Sequence, residues 1–214
     1  MSPRIRVLVA DDHTMVRQGL VGILKASEDI EVVGEAADGA EAVDKATNLK
    51  PDVVVLDVSM PHLNGLEAAR RIREALTGTR VLVLTMHDDE EYVLKMVRAG
   101  ASGYLLKDSA ASELLAGIRA LKGGKPYFGP HATRALAEAY QSDRPLADDP
   151  FERLTDRERE IFQLVVEGKT NAQIADMLFI SPKTVDNHRT RMMEKLGVHG
   201  TAELVRFAAK HKLI

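Results

Sequence analysis

"VVVLDVSMP" occupies residues 53–61 of a 214-residue chain. Four apolar residues, Val53 to Leu56, run without interruption and then give way to Asp57. A run that is apolar at every position fits a strand covered on both faces, as in a parallel sheet. A carboxylate at its end has two readings. It opens a turn, or it is a side chain held at a fixed place on the rigid edge of a sheet. The neighbouring segments decide between them.

Four further runs of the same kind flank this one: IRVLVA (5–10), IEVVGEA (30–36), RVLVLT (80–85) and SGYLLK (102–107). Between the five runs lie stretches with helical spacing, at about 14–27, 39–49, 64–76, 89–99 and 110–122. Strand and helix alternating five times predict a doubly wound parallel sheet in residues 1–122. Ligands of such sheets sit outside the carboxyl ends of the strands. There the first run ends in Asp11 and Asp12, the third in Asp57, the fourth in Thr85 and the fifth in Lys107. If strands one, three, four and five are neighbours, the five residues converge on one edge.

Three clustered carboxylates repel one another, and a hard divalent cation such as Mg²⁺ is the economical neutraliser. With it bound, one carboxylate can attack a phosphoryl group while Lys107 and Thr85 stabilise the phosphoryl oxygens. On this reading Asp57 is the acceptor. Singly, each residue reads as a turn former, a solvated charge or a β-branched strand residue; the argument rests on their combination and order.

The segments "VADDH", "VLDVSMPHLNGLEAAR", "VLT" and "GASGYLLKD" resemble the receiver domain of two-component response regulators, over about residues 4–122. The resemblance implies a flavodoxin-like, five-stranded sheet and phosphorylation of Asp57 by a histidine kinase. It implies that Asp12 binds Mg²⁺ directly, Asp11 mainly through water, Asp57 through a carboxylate oxygen and Ser59 through its main-chain carbonyl. Thr85 and Tyr104 match the switch pair. The hydroxyl moves to the phosphate, and the ring turns inward behind it. Self-phosphorylation from a phosphodonor and slow self-dephosphorylation are the only catalysis implied. Ser59 and His87, two residues past Asp57 and Thr85, are placed to tune water access. Many receivers have a cis-linked proline after the strand-five lysine; this chain has Asp108. A cis bond to a non-proline residue costs roughly 2.5–4 kcal/mol, so the geometry of that turn is left open.

Residues 123–153, "GGKPYFGPHATRALAEAYQSDRPLADDPFER", break the rhythm with two adjacent glycines, four prolines and an acidic cluster. They read as a linker, with a short helix near 131–140. The tail, 154–214, carries no strand signal and reads as four helices. Thr155 with Glu158 and Thr170 with Gln173 fit capping boxes, and Ser181–Pro182 places a capping hydroxyl before a first-turn proline. The fourth helix starts near Gly200. Gly168 and Gly197 stand where helices should stop. In the third helix, Val185, His188, Met192 and Leu196 form an inward stripe. Lys183, Asn187, Thr190, Arg191 and Glu194 face the other way. Such a face suits either solvent or a major groove.

The stretch "LTDREREIFQLVVEGKTNAQIADMLFISPKTVDNHRTRMMEKLGV" resembles the LuxR-type helix-turn-helix domain, over about residues 151–214. Receiver plus this tail is the layout of the NarL/LuxR regulators. The match makes 181–196 the recognition helix. Lys183, Thr184, His188, Arg189 and Arg191 are then phosphate-contact candidates, and Asn187 and Thr190 base-edge candidates. The expected protein is a DNA-binding transcriptional regulator whose phosphorylation controls dimerisation and DNA binding. Its partners are a histidine kinase, double-stranded DNA and a second copy of itself. The alternative is a phosphorylation-gated adaptor that binds protein and not DNA.

Composition agrees with two modules. Net charge is −3, but residues 152–214 hold 11 Lys/Arg against 9 Asp/Glu, leaving the acidic excess in the front. With no cysteine there is no disulfide and no thiolate metal site. No G-x-x-x-x-G-K-[ST] is present to suggest a nucleotide enzyme. A phosphatase of the haloacid-dehalogenase type wants Asp where Ser59 stands. With no signal peptide and no apolar run of membrane-spanning length, a soluble cytoplasmic protein is expected.

Overall fold

The computed structural model describes residues 3–86, 90–109, 111–141 and 150–211. Contacts divide the chain into two compact units, residues 1–143 and 144–214. The first is a parallel sheet with helices between its strands. In chain order these are β1 (Ile5–Ala10), α1 (Thr14–Lys25), β2 (Ile30–Ala36), α2 (Gly39–Leu49), β3 (Val53–Leu56), α3 (Gly65–Ala75), β4 (Arg80–Thr85), α4 (Glu90–Ala99), β5 (Gly103–Leu106) and α5 (Ala111–Lys122). The strands lie in the order β2-β1-β3-β4-β5, all parallel. So β1, β3, β4 and β5 are neighbours, the condition on which the convergence of their ends depended.

Burial follows strand periodicity. Val7, Val9, Val53, Val55, Leu82, Leu84 and Leu105 share a core with Leu20, Val21 and Leu24 of α1 and Leu114, Ile118 and Leu121 of α5. The alternate residues Leu8, Val54, Leu56, Val81 and Val83 are also fully buried. They point to the opposite face, the side on which α2 and α3 lie. The central runs Val53–Leu56 and Val81–Leu84 are therefore apolar throughout because neither face meets water, whereas the edge strand β2 carries an exposed Glu31 and is largely half-buried.

The sheet has a sixth strand, β6 (Tyr127–Phe128), which pairs with β5 through Gly103 and Tyr104. A helix, α6 (Pro130–Gln141), follows it and contacts α4. Of the stretch read as a linker, residues 127–141 thus belong to the first unit. A two-residue strand within the four residues between Gly-Gly and Gly-Pro is too short to carry a periodic signal; β6 exists because the edge of β5 supplies its partners. Tyr127 N–H donates to the Ser102 carbonyl (3.2 Å) and Gly129 N–H to the Tyr104 carbonyl (3.0 Å).

The second unit opens with a 3-10 turn, Pro150–Arg153, followed by α7 (Asp156–Val166), α8 (Asn171–Leu178), α9 (Pro182–Leu196) and α10 (Thr201–Lys210). Both capping boxes form, at Thr155/Glu158 and Thr170/Gln173. Ser181 Oγ accepts the Thr184 N–H at 3.0 Å with Pro182 at the first helical position. Gly168 and Gly197 have φ of 82° and 66°, the left-handed turn that stops a helix and that glycine adopts freely. The core joins Phe162, Ile161, Ile174, Val185, Met192, Leu196, Leu204 and Ala208, and Phe151 packs edge-on against Phe162 at 5.0 Å. No described helix is long and apolar enough to cross a membrane.

Candidate functional site

The carboxyl ends of β1, β3, β4 and β5 carry the predicted constellation. Asp57 leaves β3 with its N–H on the Ala10 carbonyl (2.8 Å). Its Oδ1 accepts the Val58 N–H at 2.7 Å, and its Oδ2 accepts Lys107 Nζ at 2.7 Å. The same ammonium stands 2.8 Å from Asp11 Oδ2. Asp11 and Asp57 are almost wholly buried, at 1% and 3% exposure. Burial pushes the Asp57 carboxyl above the usual carboxylate range, Lys107 pulls it back and Asp11 adds repulsion. At Lys107, burial opposes the charge, but hydrogen bonding to Asp11 and Asp57 outweighs it and the ammonium is held above its ordinary value. The one ammonium is shared by two carboxylates, so the group as a whole favours a further cation.

The backbone around Asp57 is tightly set. Asn64 caps α3 by accepting the Glu67 N–H at 3.0 Å, and the Gly65 N–H donates to the Val58 carbonyl at 2.8 Å. A Cβ on Gly65 would collide with the Asp57 carbonyl oxygen; only glycine lets α3 begin this close to the acceptor's loop. Ser59 lies on the exposed side of that loop. Thr85 is fully buried at the end of β4 and accepts the Lys107 N–H on its carbonyl at 2.8 Å. Tyr104 is 1% exposed, so its ring already points inward. No peptide bond among the described residues is cis, so Lys107–Asp108 is trans. His87 falls outside the described residues.

The donor set fits a hard cation. Ligand atoms of Asp11, Asp12, His13 and Asp57 lie within 4.8 Å of one another. Asp12 Oδ1 is a buried oxygen with no hydrogen bond aligned on it, although His13 Nδ1 stands 2.7 Å away, and Asp11 Oδ2 shares the one Lys107 ammonium with Asp57. Buried carboxylate oxygens in that condition are costly unless a cation meets them.

Three neighbours were not among the residues the sequence singled out for the site. His13 Nδ1 lies 2.7 Å from Asp12 Oδ1. Arg17, on the second turn of α1, donates to the Asp11 carbonyl at 2.6 Å. Tyr92, on α4, is buried, and burial together with the charge of Asp57 raises its phenol above the ordinary value. His13 follows the acid pair directly, which was a signal; nothing in the spacing of Arg17 or Tyr92 marked them.

In the second unit, α9 buries Val185, Met192 and Leu196, with His188 half-buried. Lys183, Asn187, Thr190, Arg191 and Glu194 are all exposed. The other candidates are engaged. Thr184 Oγ1 is 2.7 Å from Ser181 Oγ in the helix cap. Arg189 donates to Asn171 Oδ1 at 2.6 Å and to Thr201 Oγ1 at 2.9 Å, tying together the starts of α8 and α10. Thr190 Oγ1 donates back to the Asp186 carbonyl at 3.1 Å.

Comparison with known proteins bears on both units. The family of response regulator receiver domains matches residues 7–119. The luxR family of bacterial regulatory proteins matches residues 152–208. The oxygen regulatory protein NreC of Staphylococcus haemolyticus is 42% identical over 215 residues, covering 98% of this chain and 99% of that protein. NreC of Staphylococcus carnosus is 41% identical over the same span. Among solved structures, the response regulator ChrA of a heme-sensing two-component system is 38% identical, with TM-score 0.54 and 99% of each chain covered. A structure of two RcsB dimers bound to two parallel DNAs is 27% identical, with TM-score 0.60, 96% of this chain and 98% of that one covered.

Proposed function

Because this chain belongs to the DNA-binding response regulators that join a receiver domain to a LuxR-type domain, we propose that Asp57 is its phosphoryl acceptor and that phosphorylation of Asp57 controls DNA binding by the tail. The observation that carries the proposal is Lys107, whose ammonium bridges Asp57 and Asp11 at 2.7 and 2.8 Å across three strand ends. The donor is a phosphohistidine of a histidine kinase. A carboxylate oxygen of Asp57 attacks phosphorus, the P–N bond breaks, and its electron pair returns to the imidazole nitrogen. Asp57 keeps the phosphoryl group as an acyl phosphate. Lys107 meets the charge on the phosphoryl oxygens, and the Thr85 hydroxyl donates to one of them. Asp11, Asp12, Asp57 and the Ser59 carbonyl would hold Mg²⁺, which would supply positive charge against the phosphoryl oxygens. Tyr104, buried behind the site, keeps the space vacated by Thr85 closed.

At the tail, α9 enters the major groove. Lys183 and Arg191 meet phosphates, with Thr184 and His188 secondary, Asn187 and Thr190 read base edges, and Arg189 is taken up by Asn171 and Thr201. Two copies bind together, as two-fold half-sites require. RcsB, whose solved structure has two dimers bound to two parallel DNAs, supports that arrangement. The test is intact mass after incubation with a small phosphodonor such as phosphoramidate and Mg²⁺. One phosphoryl adduct is expected, lost in Asp57→Asn and on chelation of the metal. An adduct that persists in Asp57→Asn refutes the assignment.

A further inference from the structure

We propose that Arg17 is a positioning residue for the metal site, aiming the Asp11–Asp12 carboxylates by holding the Asp11 carbonyl. The inference rests on the reading of the acid pair as the Mg²⁺ site. Its ground is the hydrogen-bond accounting at Asp11. The Asp11 N–H donates to the Ala36 carbonyl at 3.1 Å. Oδ1 accepts the His13 N–H at 2.8 Å. The carbonyl accepts Arg17 Nη1 at 2.6 Å. Three of the four polar groups of Asp11 are thereby tied, and Oδ2 alone is left facing Lys107 and the cluster. The carbonyl bond does most to aim the pair, because it fixes the plane of the Asp11–Asp12 peptide and so the direction in which Asp12 leaves.

Arg17 is itself held from behind. Its Nε is 3.4 Å from Glu35 Oε2, which also accepts Gln18 Nε2 at 2.8 Å. The Glu35 carbonyl accepts Lys45 Nζ, and Lys45 pairs with Glu41 at 2.6 Å. Glu41 in turn accepts the Ala37 N–H at 2.7 Å. The acid pair at the end of β1 is thus braced against β2 and α2 through one guanidinium. Its side chain is only 14% exposed, so water does not readily replace it. Glu35 offsets the charge of Arg17, which leaves geometry as its main effect on the site. A lysine offers its three donors from a single nitrogen without the planar fork and cannot hold both acceptors in the same way.

Outer groups that orient metal ligands set affinity by roughly 10–100-fold. Calorimetric titration of Mg²⁺ into the full-length unphosphorylated protein tests the proposal, at a temperature well below each variant's melting point. Arg17→Ala should weaken Mg²⁺ by about tenfold and Arg17→Lys by about threefold. Arg119→Ala removes an equal charge from the Asp29 pair on the far side and should leave affinity unchanged. Saturating Mg²⁺ should return the phosphorylation rate of the Arg17 variants to within about twofold of the parent, separating metal binding from chemistry. Affinity within twofold of the parent in Arg17→Lys and Arg17→Ala overturns the proposal. So does an equal loss in Arg119→Ala, or a rate that Mg²⁺ does not restore. If Arg17→Ala does not fold, Arg17→Lys decides alone. Asp12→Asn separates the two readings: if it binds Mg²⁺ as the parent does, the metal site itself is misassigned; if it loses binding while the Arg17 variants keep it, only the role of Arg17 falls.

Discussion

Lys107 answers for two carboxylates at once, and its removal should be felt before any phosphoryl group arrives. In Lys107→Met, Asp11 and Asp57 face each other buried and without a counter-charge. Breaking a buried pair costs about 3 kcal/mol or more when no relief is available; here one carboxyl can take up a proton, so about 3 kcal/mol is the upper bound. The melting temperature without metal should fall, and Mg²⁺ should recover more of it than it adds to the parent protein, since binding to the folded state alone stabilises it. A variant melting as the parent does in the absence of metal would show that the ammonium is not neutralising the pair. Ser59 stands two residues past the acceptor on the exposed side of its loop. Changing it to a bulkier amide should alter the lifetime of the acyl phosphate, read by the decay of the mass adduct. An unchanged lifetime removes Ser59 from control of water access.

Helix α7 and helix α9 make separable demands on their charged residues. Glu158 closes the capping box of α7 and accepts Lys195 Nζ of α9 at 2.6 Å. Burial would raise its pKa, but the Lys195 ammonium and the Thr155 N–H outweigh it and hold the carboxyl below its ordinary value. A depressed folded pKa means stability that is present above the unfolded value, near 4.3, and lost as pH falls through the folded one. Melting curves of the parent should therefore lose stability below about pH 4.3 more steeply than those of Glu158→Gln, which keeps the cap but not the charge. At neutral pH the substitution should cost about 1 kcal/mol. Parallel curves would sink the claim. On α9, Lys183→Ala and Arg191→Ala should each lower the salt slope of DNA binding by about one unit without affecting melting. Asn187→Ala should lower discrimination between duplexes at an unchanged slope. Arg189→Ala should instead destabilise the second unit by about 2 kcal/mol, because its guanidinium holds Asn171 and Thr201. A loss of slope at Arg189 with no change in melting would return it to the phosphate contacts.

For the whole chain, the two units have separate cores, so the tail should fold and bind DNA by itself. A phosphoryl group at Asp57 can shift DNA binding only through its differential affinity for two arrangements of the chain. A fragment of residues 151–214 should therefore bind duplex DNA without phosphate, and unphosphorylated full-length protein should bind more weakly than the fragment. Phosphorylated protein should bind as a dimer. On α10, Leu204 and Ala208 are buried while Val205 and Ala209 face outward, an apolar strip suited to pairing on DNA. If the fragment binds no better than the unphosphorylated chain, inhibition by the receiver is refuted and dimer promotion alone must account for any effect of phosphate.

Periodicity was enough to reveal the alternating elements of the receiver, because strands buried on both faces and helices buried on one leave different marks on a linear chain. The strand ends at Asp11, Asp57, Thr85 and Lys107, and the caps at Thr155, Thr170 and Ser181, were equally legible, since each is a local rule satisfied within a few residues. What depended on distant partners was not. Tyr127 and Phe128 become a strand only because β5 has a free edge. Arg189 reads as a phosphate contact until Asn171 and Thr201, 18 and 12 residues away, take up its donors. Arg17 looks like any exposed helix cation until the fold brings the Asp11 carbonyl and Glu35 beneath it. A side chain with long reach and several donors carries no record in the sequence of which acceptors it will find; only the packed fold supplies them.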